Sequence, residues 1–505
     1  MIMIKRAIIS VSDKNHLLAL AKALCSHKVE IIATNRTCLY LSENKIPCTM
    51  LADYIGFPEM IHGRVKTLHP KVFAGILARH QYGEIEEITT YGVRKIDLVC
   101  VNLYPFQDAI QHSDLEEKWL DEIDIGGVSL LRASAKNYQE CVTLSDPSDY
   151  PDFINSLNKN NGCVPISYSF ECMKRAFLRT SYYDAQIAMQ FCNREKEELT
   201  VTYLQKNTPL RYGENPHQQA ALWTTYPPVS SFPMGLRMIH GKEMSYNNYL
   251  DSSMGLQLLD EFDRPASVIV KHNNPCGCAE SDNLDEAYER AYACDPVSAY
   301  GGIFLFNRPV TESIAKHIHE HFTEVVVAPS FDENALSFLT QKKNIRLLKR
   351  EEILHPLREV KSLYQSYLIQ TPDNKLCSGM EVMTGEVLSP EEIEEIQFGL
   401  KVVKHVKSNA IVITNHHTTL GIGSGQPNRI NSTKLSLSQA GEEAKGAILC
   451  SDAYFPFVDS IQEAAKHGIR IMVEPGGSIR DAEIIDEAKK HDIIIVFTGL
   501  RHFLH

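Results

Sequence analysis

Short apolar runs alternate with segments of helical spacing along the first hundred residues. Ala7–Val11 and Val29–Thr34 read as strands, Leu17–Ser26 and Thr37–Asn44 as helices, and Leu98–Leu103 as a further strand. This alternation predicts an open parallel sheet with helices on its faces, whose ligands sit at the carboxyl ends of the strands. A helical stretch, Glu171–Cys192, then runs into the charged segment Asn193–Leu199, where a domain boundary is expected.

Beyond residue 200 the α/β pattern resumes, and one order of features occurs twice. A strand at Ser267–His272, an Asp-containing loop at Cys294–Tyr300 and a strand with a proline turn at Val325–Ser330 are followed by a helix. The order returns at Ser408–Ile413, Cys450–Pro456 and Ile471–Ser478. Internal duplication and chance recurrence of βα units both account for it.

Composition narrows the class. Of 505 residues, 44% are hydrophobic and 23% charged, a globular balance that needs no disulfide or structural metal. The formal charge of −12 opposes a nucleic-acid scaffold while leaving room for local anion pockets. No apolar run is long enough to cross a membrane, and Met1–Arg6 enters a strand-like stretch without a signal-peptide pattern. The 13 scattered cysteines then read as reduced thiols. A cytoplasmic protein that engages neither membrane nor nucleic acid is expected.

Several motifs bear chemistry. Ser10-Val-Ser-Asp-Lys14 and Ala33-Thr-Asn-Arg-Thr37 each close a strand just ahead of a helix. Hydroxyls, a cation and free backbone N–H groups there suit a phosphate; Ser12 or Asp13 as an ordinary helix cap is the alternative. No G-x-G-x-x-G follows the first strand, so a dinucleotide cofactor is not expected. Gly63-Arg-Val-Lys-Thr-Leu-His-Pro-Lys71 concentrates cations in a loop closed by Pro70. Asp124-Ile-Gly-Gly127 opens a helix that reaches Lys136, and Asp124 with Lys136 reads either as an ion pair or as an acid/base pair. Leu210-Arg-Tyr-Gly-Glu-Asn-Pro-His-Gln218 is dense in groups that hydrogen-bond planar polar ligands. Lys271-His-Asn-Asn-Pro-Cys-Gly277 follows an apolar strand, and its Lys–His pair suits proton transfer, with a capping histidine beside a surface lysine as the alternative. Zinc is not expected: His272 is followed by Asn274 rather than Glu, and Cys276 and Cys278 are one residue too close for the deaminase signature.

Taken in order, these motifs resemble the bifunctional purine-biosynthesis family that combines phosphoribosylaminoimidazolecarboxamide formyltransferase with inosine-monophosphate cyclohydrolase. Asn102-Leu-Tyr-Pro-Phe106, Asp295-Pro-Val-Ser298, Lys407-Ser-Asn-Ala410, Ser451-Asp-Ala-Tyr-Phe-Pro-Phe457, Pro475-Gly-Gly-Ser-Ile-Arg480 and Phe497-Thr-Gly-Leu-Arg-His-Phe503 extend the resemblance to nearly the whole chain. It implies a methylglyoxal-synthase-like cyclohydrolase domain over residues 1–196. A formyltransferase of two cytidine-deaminase-like halves would follow over 197–505, dividing near 365/366. It further implies an intertwined homodimer, small-molecule nucleotide and folate substrates, 10-formyltetrahydrofolate as formyl donor, and no catalytic metal.

The resemblance also implies site residues. Lys66, Tyr104, Asp124 and Lys136 match the catalytic positions for ring closure. Ser10, Ser12, Lys14, Thr34, Arg36, Thr37, Arg64 and Thr67 match its substrate positions. For formyl transfer, His272 would be the base and Lys271 the oxyanion or leaving-group partner, while Asn409 would hold His272 or the formyl oxygen. Arg211, Tyr212, Asn248 and Arg501 would bind the nucleotide; Arg429, Ile430, Tyr454, Pro456, Phe457 and Asp459 would bind the folate. The chain departs from the family where Asn35-Arg36 replaces a glycine pair, a change that points to weakened ring closure unless Asn35 adopts positive φ and Arg36 grips the phosphate. Val458, where Arg is common, and Leu363–Leu368, which replaces a Gly-Gly stretch, matter less.

Overall fold

The computed structural model describes residues 1–104, 106, 110, 116–194 and 200–505. It divides into two compact units, Met1–Tyr203 and Leu204–His505.

The first unit is built on a five-stranded sheet. Its strands are Arg6–Val11 (β1), Glu30–Ala33 (β2), Thr49–Met50 (β3), Leu98–Asn102 (β4) and Val142–Leu144 (β5), in the order β3-β2-β1-β4-β5. Every pairing is parallel. The helices that matter below are Leu17–Ser26 (α1), Asn35–Glu43 (α2), Pro70–Leu77 (α3), Gly126–Lys136 (α4) and Ile166–Arg194 (α5). The strands are uninterrupted apolar runs because both faces are covered. Ala7, Ile9, Leu98 and Cys100 enter one core, and Ile8, Ile32, Val99 and Val101 the other. Strand order reverses between β1 and β4, which opens a crevice at their carboxyl ends.

The second unit carries a twelve-stranded sheet. Its first six strands are Leu236–His240 (β6), Ala266–Lys271 (β7), Asn274–Glu280 (β8), Ile303–Phe306 (β9), Val325–Ala328 (β10) and Arg346–Arg350 (β11). The other six are Glu381–Val382 (β12), Ile411–Asn415 (β13), Thr418–Gly423 (β14), Ile448–Ser451 (β15), Ile471–Glu474 (β16) and Ile494–Phe497 (β17). The order is β6-β11-β10-β9-β7-β8-β14-β13-β15-β16-β17-β12, a palindrome of two equal halves. Each half has a hairpin, an antiparallel neighbour, two parallel steps and an antiparallel edge. Even the bulges recur, between Ile269 and Val270 and between Ile413 and Thr414. Internal duplication is therefore the correct account of the repeated order.

One part of that repeat is corrected. Cys294–Tyr300 precedes the fourth strand of its half, β9, whereas Cys450–Pro456 begins in its counterpart β15 and follows it, so the two Asp loops are not counterparts. The helices obey the same symmetry. Tyr246–Leu259 (α6) and Pro390–Val403 (α10) lie over one face on a core common to both halves. The opposite face has two separate cores, one under Leu284–Cys294 (α7), Glu312–Glu320 (α8) and Glu333–Leu339 (α9), the other under Arg429–Ala440 (α11), Asp459–Lys466 (α12) and Asp481–Lys490 (α13). Gly277 and Gly421 let the α7 and α11 backbones approach. A Cβ at either would lie 1.9 Å from the Ala291 carbonyl oxygen or 2.0 Å from that of Ser436. Among the described residues, no helix is long and apolar enough to cross a membrane.

Candidate active sites

In the first unit, the crevice between β1 and β4 is laced by Asn102. Its Oδ1 accepts the Ser12 backbone N–H at 2.6 Å and the Ser12 hydroxyl at 2.8 Å, and its Nδ2 donates to the Asp13 carbonyl at 2.9 Å. Neither Ser12 nor Asp13 caps α1, which begins three residues beyond Lys14 with His16 at its N-cap. Helix α2, by contrast, starts directly at the end of β2. Thr34 is its N-cap by backbone conformation, and Asn35, Arg36 and Thr37 form its first turn.

The Thr34 hydroxyl donates to Ser10 Oγ at 3.3 Å and lies 3.4 Å from Thr37 Oγ1, so three hydroxyls gather at that helix end. Asn35 has ordinary helical φ, so the left-handed route to a rebuilt phosphate site is not the one taken; regular helix geometry already turns those N–H groups outward without glycine. Arg36 is exposed and has no ion-pair or hydrogen-bond partner among the described residues. Lys14 Nζ lies 5.6 Å from the Tyr40 ring centre.

A second group forms around α4. Lys66 Nζ stands 5.9 Å from the Tyr104 ring centre. Asp124 Oδ1 accepts the Gly127 N–H at 2.7 Å, and the Asp124 N–H donates to the Tyr183 hydroxyl at 2.8 Å. Burial pushes the Asp124 carboxyl above its usual range, against the Gly127 N–H and the Lys66 charge. Both glycines are sterically required: a Cβ on Gly126 would sit 2.3 Å from Thr67 Oγ1, and one on Gly127 would sit 2.3 Å from Asp124 Oδ2.

One expectation fails here. Lys136 is exposed at the far end of α4, about 15 Å along the axis from the Asp124 end, so the two form neither an ion pair nor a proton-sharing couple. Arg64 is paired with Asp121. Pro105 of the Asn102–Phe106 motif lies outside the described residues.

In the second unit, the β7–β8 hairpin turns at His272 and Asn273, with φ 55° and 58°. Left-handed geometry at both central residues is what a tight two-residue hairpin requires. Asp251 of α6 fixes the turn, its Oδ1 accepting the Asn273 N–H at 2.7 Å. The His272 ring is exposed and makes no hydrogen bond or ion pair among the described residues, although the Asp251 carboxyl feels its charge. Lys271 Nζ donates to the Tyr300 carbonyl at 2.6 Å. Asn274 Oδ1 accepts the Lys407 N–H at 3.1 Å, which brings the 407–409 loop of the other half beside this turn.

Asn409 does not hold His272. Its Nδ2 donates to the Gln426 carbonyl at 2.8 Å and its Oδ1 accepts from Arg429 at 2.7 Å. Arg429 in turn bonds Ser451 Oγ at 2.8 Å and forms a buried pair with Asp452, so its guanidinium braces the loop instead of facing a ligand. Asn248 is likewise internal: it completes a capping box with Ser245 and donates to Glu324 Oε2 at 2.8 Å.

Tyr454 and Phe457 are exposed on either side of buried Phe455, with half-buried Pro456 between them. Arg480, quoted in a motif but given no role, stacks 4.8 Å from the Phe457 ring centre. Asp459 opens α12, and Ile430 donates its N–H to Asn428 Oδ1 at 3.1 Å. Arg211 lies 5.6 Å from the Tyr212 ring centre, in a loop that Gln218 braces through Gly213 and Asn215. Arg501 stacks on Phe503 at 4.3 Å. Sequence reading missed Asp251, Glu324 and Gln426, whose importance lies in contacts distant along the chain. Among the described residues, no group of three His, Cys, Asp or Glu is arranged to hold a metal.

Comparison with known proteins agrees with this fold. The family model described as AICARFT/IMPCHase bienzyme matches residues 134–439, and that of an MGS-like domain matches residues 16–129. The chain is 44% identical to the bifunctional purine biosynthesis protein PurH of Ruminiclostridium cellulolyticum, with 100% of each chain covered. It is 43% identical to that of Bacillus subtilis over 99% of this chain and 100% of the relative, and 44% identical to that of Clostridium botulinum strain Hall over 100% of each. A matched family model over most of the chain and full-length relatives at this identity, joined to a parallel-sheet unit and a duplicated α/β unit, make the chain a member of the AICARFT/IMPCHase bienzyme family.

Proposed function

We propose that the chain carries out its family's two reactions at two separate sites, with 10-formyltetrahydrofolate as formyl donor. In the first, the 5-amino nitrogen of aminoimidazole carboxamide ribotide attacks the formyl carbon and the bond to the folate nitrogen breaks. That amine is a poor nucleophile because its lone pair delocalises into the ring, so orientation and proton removal carry most of the catalysis. His272 takes the amine proton. Lys271 faces the developing oxyanion after exchanging its bond to the Tyr300 carbonyl for one to substrate. Tyr454 and Phe457 offer faces for the folate rings. Arg211, Tyr212 and Arg501 contact the nucleotide, while Asn409 and Arg429 keep the neighbouring loop in shape. The carrying observation is the exposed His272 ring, free of hydrogen bonds and held out on a turn that Asp251 fixes.

In the second reaction, the carboxamide nitrogen attacks the formyl carbonyl and water leaves. Lys66 polarises the formyl oxygen, and Asp124, its carboxyl raised by burial, exchanges the protons beside Tyr104. Lys136 has no part in this scheme because of its distance along α4. The 5′-phosphate sits at the first turn of α2, against Ser10, Thr34 and Thr37, with Ser12, Lys14 and Thr67 nearby. Arg36 supplies a charge-assisted contact of about 1.5–3 kcal/mol. The enzyme acts in the cytoplasm as a homodimer whose partner completes the formyltransferase sites.

Incubation with the ribotide and formyl folate, following folate absorbance and inosine monophosphate together, tests the pair of reactions. Formyl transfer without ring closure would sink the second. Arg36→Ala is expected to raise KM for the formylated ribotide about 10- to 100-fold with a smaller change in kcat; an unchanged KM makes Arg36 a surface residue.

A further inference from the structure

Cysteine chemistry in the first unit is concentrated at one point that neither reaction uses. Cys38 lies on α2, one residue past Thr37, and Cys48 lies just ahead of β3. Their sulfurs are 2.6 Å apart. Cys48 Sγ also lies 3.4 Å from the Cys38 carbonyl oxygen and 3.6 Å from Ser42 Oγ, one helical turn further along α2. A disulfide bond is about 2.05 Å long, so closing one here requires about half an ångström of approach. No other two cysteine sulfurs are in such contact among the described residues.

We infer that Cys38 and Cys48 form a reversible dithiol–disulfide site, closed by thiol–disulfide exchange with a small-molecule disulfide such as oxidised glutathione. The two thiols differ in access. Cys38 is buried and Cys48 is half-buried. Burial and the neighbouring Cys48 also push the Cys38 thiol up to about 12, so Cys38 stays protonated and does not react first. The Cys48 thiolate therefore attacks the external disulfide, forming a mixed disulfide and releasing one thiolate. Cys38 then attacks the Cys48 sulfur; the new S–S bond forms as the second thiolate leaves. The two cysteines lose two electrons and two protons, and the external disulfide is reduced to two thiols. The product ties α2 to the chain entering β3, the two elements on which the first turn of α2 depends for its position.

The full-length protein is treated with oxidised glutathione, its free thiols are alkylated, and it is digested with trypsin without reduction. Cleavage after Lys45 separates the two cysteines, so Thr37–Lys45 and Ile46–Arg64 stay together only through a disulfide. The expected result is this linked pair, about 2 Da lighter than its reduced parts, split by dithiothreitol and absent from Cys48→Ser. Cys25 is the nearest competitor, since its thiol feels the Cys48 charge. Recovery of Cys48 as a stable glutathione adduct beside an alkylatable Cys38, or linked to Cys25, overturns the proposal. The wild-type map decides the matter even where Cys48→Ser folds poorly.

Discussion

The two hairpin turns of the second unit share a backbone and differ in what they do. His272-Asn273 and His416-His417 both adopt left-handed φ. Both are fastened from below by an acid six residues past a serine N-cap. Asp251 accepts the Asn273 N–H at 2.7 Å, and Glu395 accepts the His417 N–H at 2.6 Å. The surroundings then diverge. The second turn is welded to the first half: His417 Nδ1 lies 3.1 Å from Glu280 Oε1, and Arg290 donates to the His416 carbonyl at 3.1 Å. The first turn keeps its histidine free and carries Lys271 where the second has Asn415. Duplication thus supplied two copies of one scaffold, of which one leaves a Lys–His pair free for the proposed chemistry and the other holds the halves together.

The largest expected contrast is between the two exposed histidines. His272→Ala should lower formyl transfer at least 100-fold and leave ring closure intact, while His416→Ala changes both less than about 2-fold. Equal losses from the two variants would abolish the distinction.

Next comes Glu474 at the end of β16, whose counterpart at the end of β10 is Ala328. Its carboxyl is buried and raised from 4.5 to about 8, with burial outweighing the Phe455 N–H and the Arg429 charge. A raised acid favours the native state while protonated. That stability is present below about pH 4.5 and is lost as pH rises through about 8. Glu474→Gln should match wild type in urea melts at pH 4.5 and exceed it at pH 8.5 by up to about 4–5 kcal/mol. Parallel stability curves would refute this.

Removing the two turn acids sharpens the contrast further. Asp251→Ala should cost formyl transfer about 10-fold in kcat with little change in KM, because it loosens the His272 turn. Glu395→Ala should leave kcat alone and destabilise the fold by about 1–3 kcal/mol. The smallest effect is the pH response of the second turn. The bond to Glu280 raises His417. Burial pushes Glu280 up, but the His417 bond together with the Lys401, His417 and Arg264 charges outweighs it and the net shift is downward. Stability from His417 is present below about pH 6.5 and lost above it, and that from Glu280 is lost as pH falls below about 4.5. His417→Gln should flatten this profile, an effect of about 1 kcal/mol or less by thermal melts across pH 5–8.

What was legible in the sequence was local. Leu17–Ser26 reads as a helix because its apolar spacing is helical, and the parallel strands read as strands because both of their faces are buried. Lys271-His272 was recognisable because the chemistry sits on adjacent residues. Asp251 was not, since one acid in a helix some twenty residues upstream carries no mark of the turn it will grip. The Asp124–Lys136 pairing failed because a helix running straight between them keeps its ends apart. Asn409 was wrongly joined to His272, because Gln426 and Arg429 are brought to it only by the folded second half.

The seam between the halves has a consequence for how the chain is made. Strand β8 meets β14 through one residue pair, Ala279 with Thr418, and Cys278 bonds Thr419 across 141 residues. During synthesis the first half is complete long before its partner strand emerges. At about 5–20 residues per second it waits for several seconds with β8 as an open edge. Such an edge invites pairing with a neighbouring nascent chain. Pro275 removes a donor from it, and the bulge at Ile269/Val270 twists it out of line. These features give the ribosome-bound intermediate its own protection against aggregation, independent of what the finished enzyme needs.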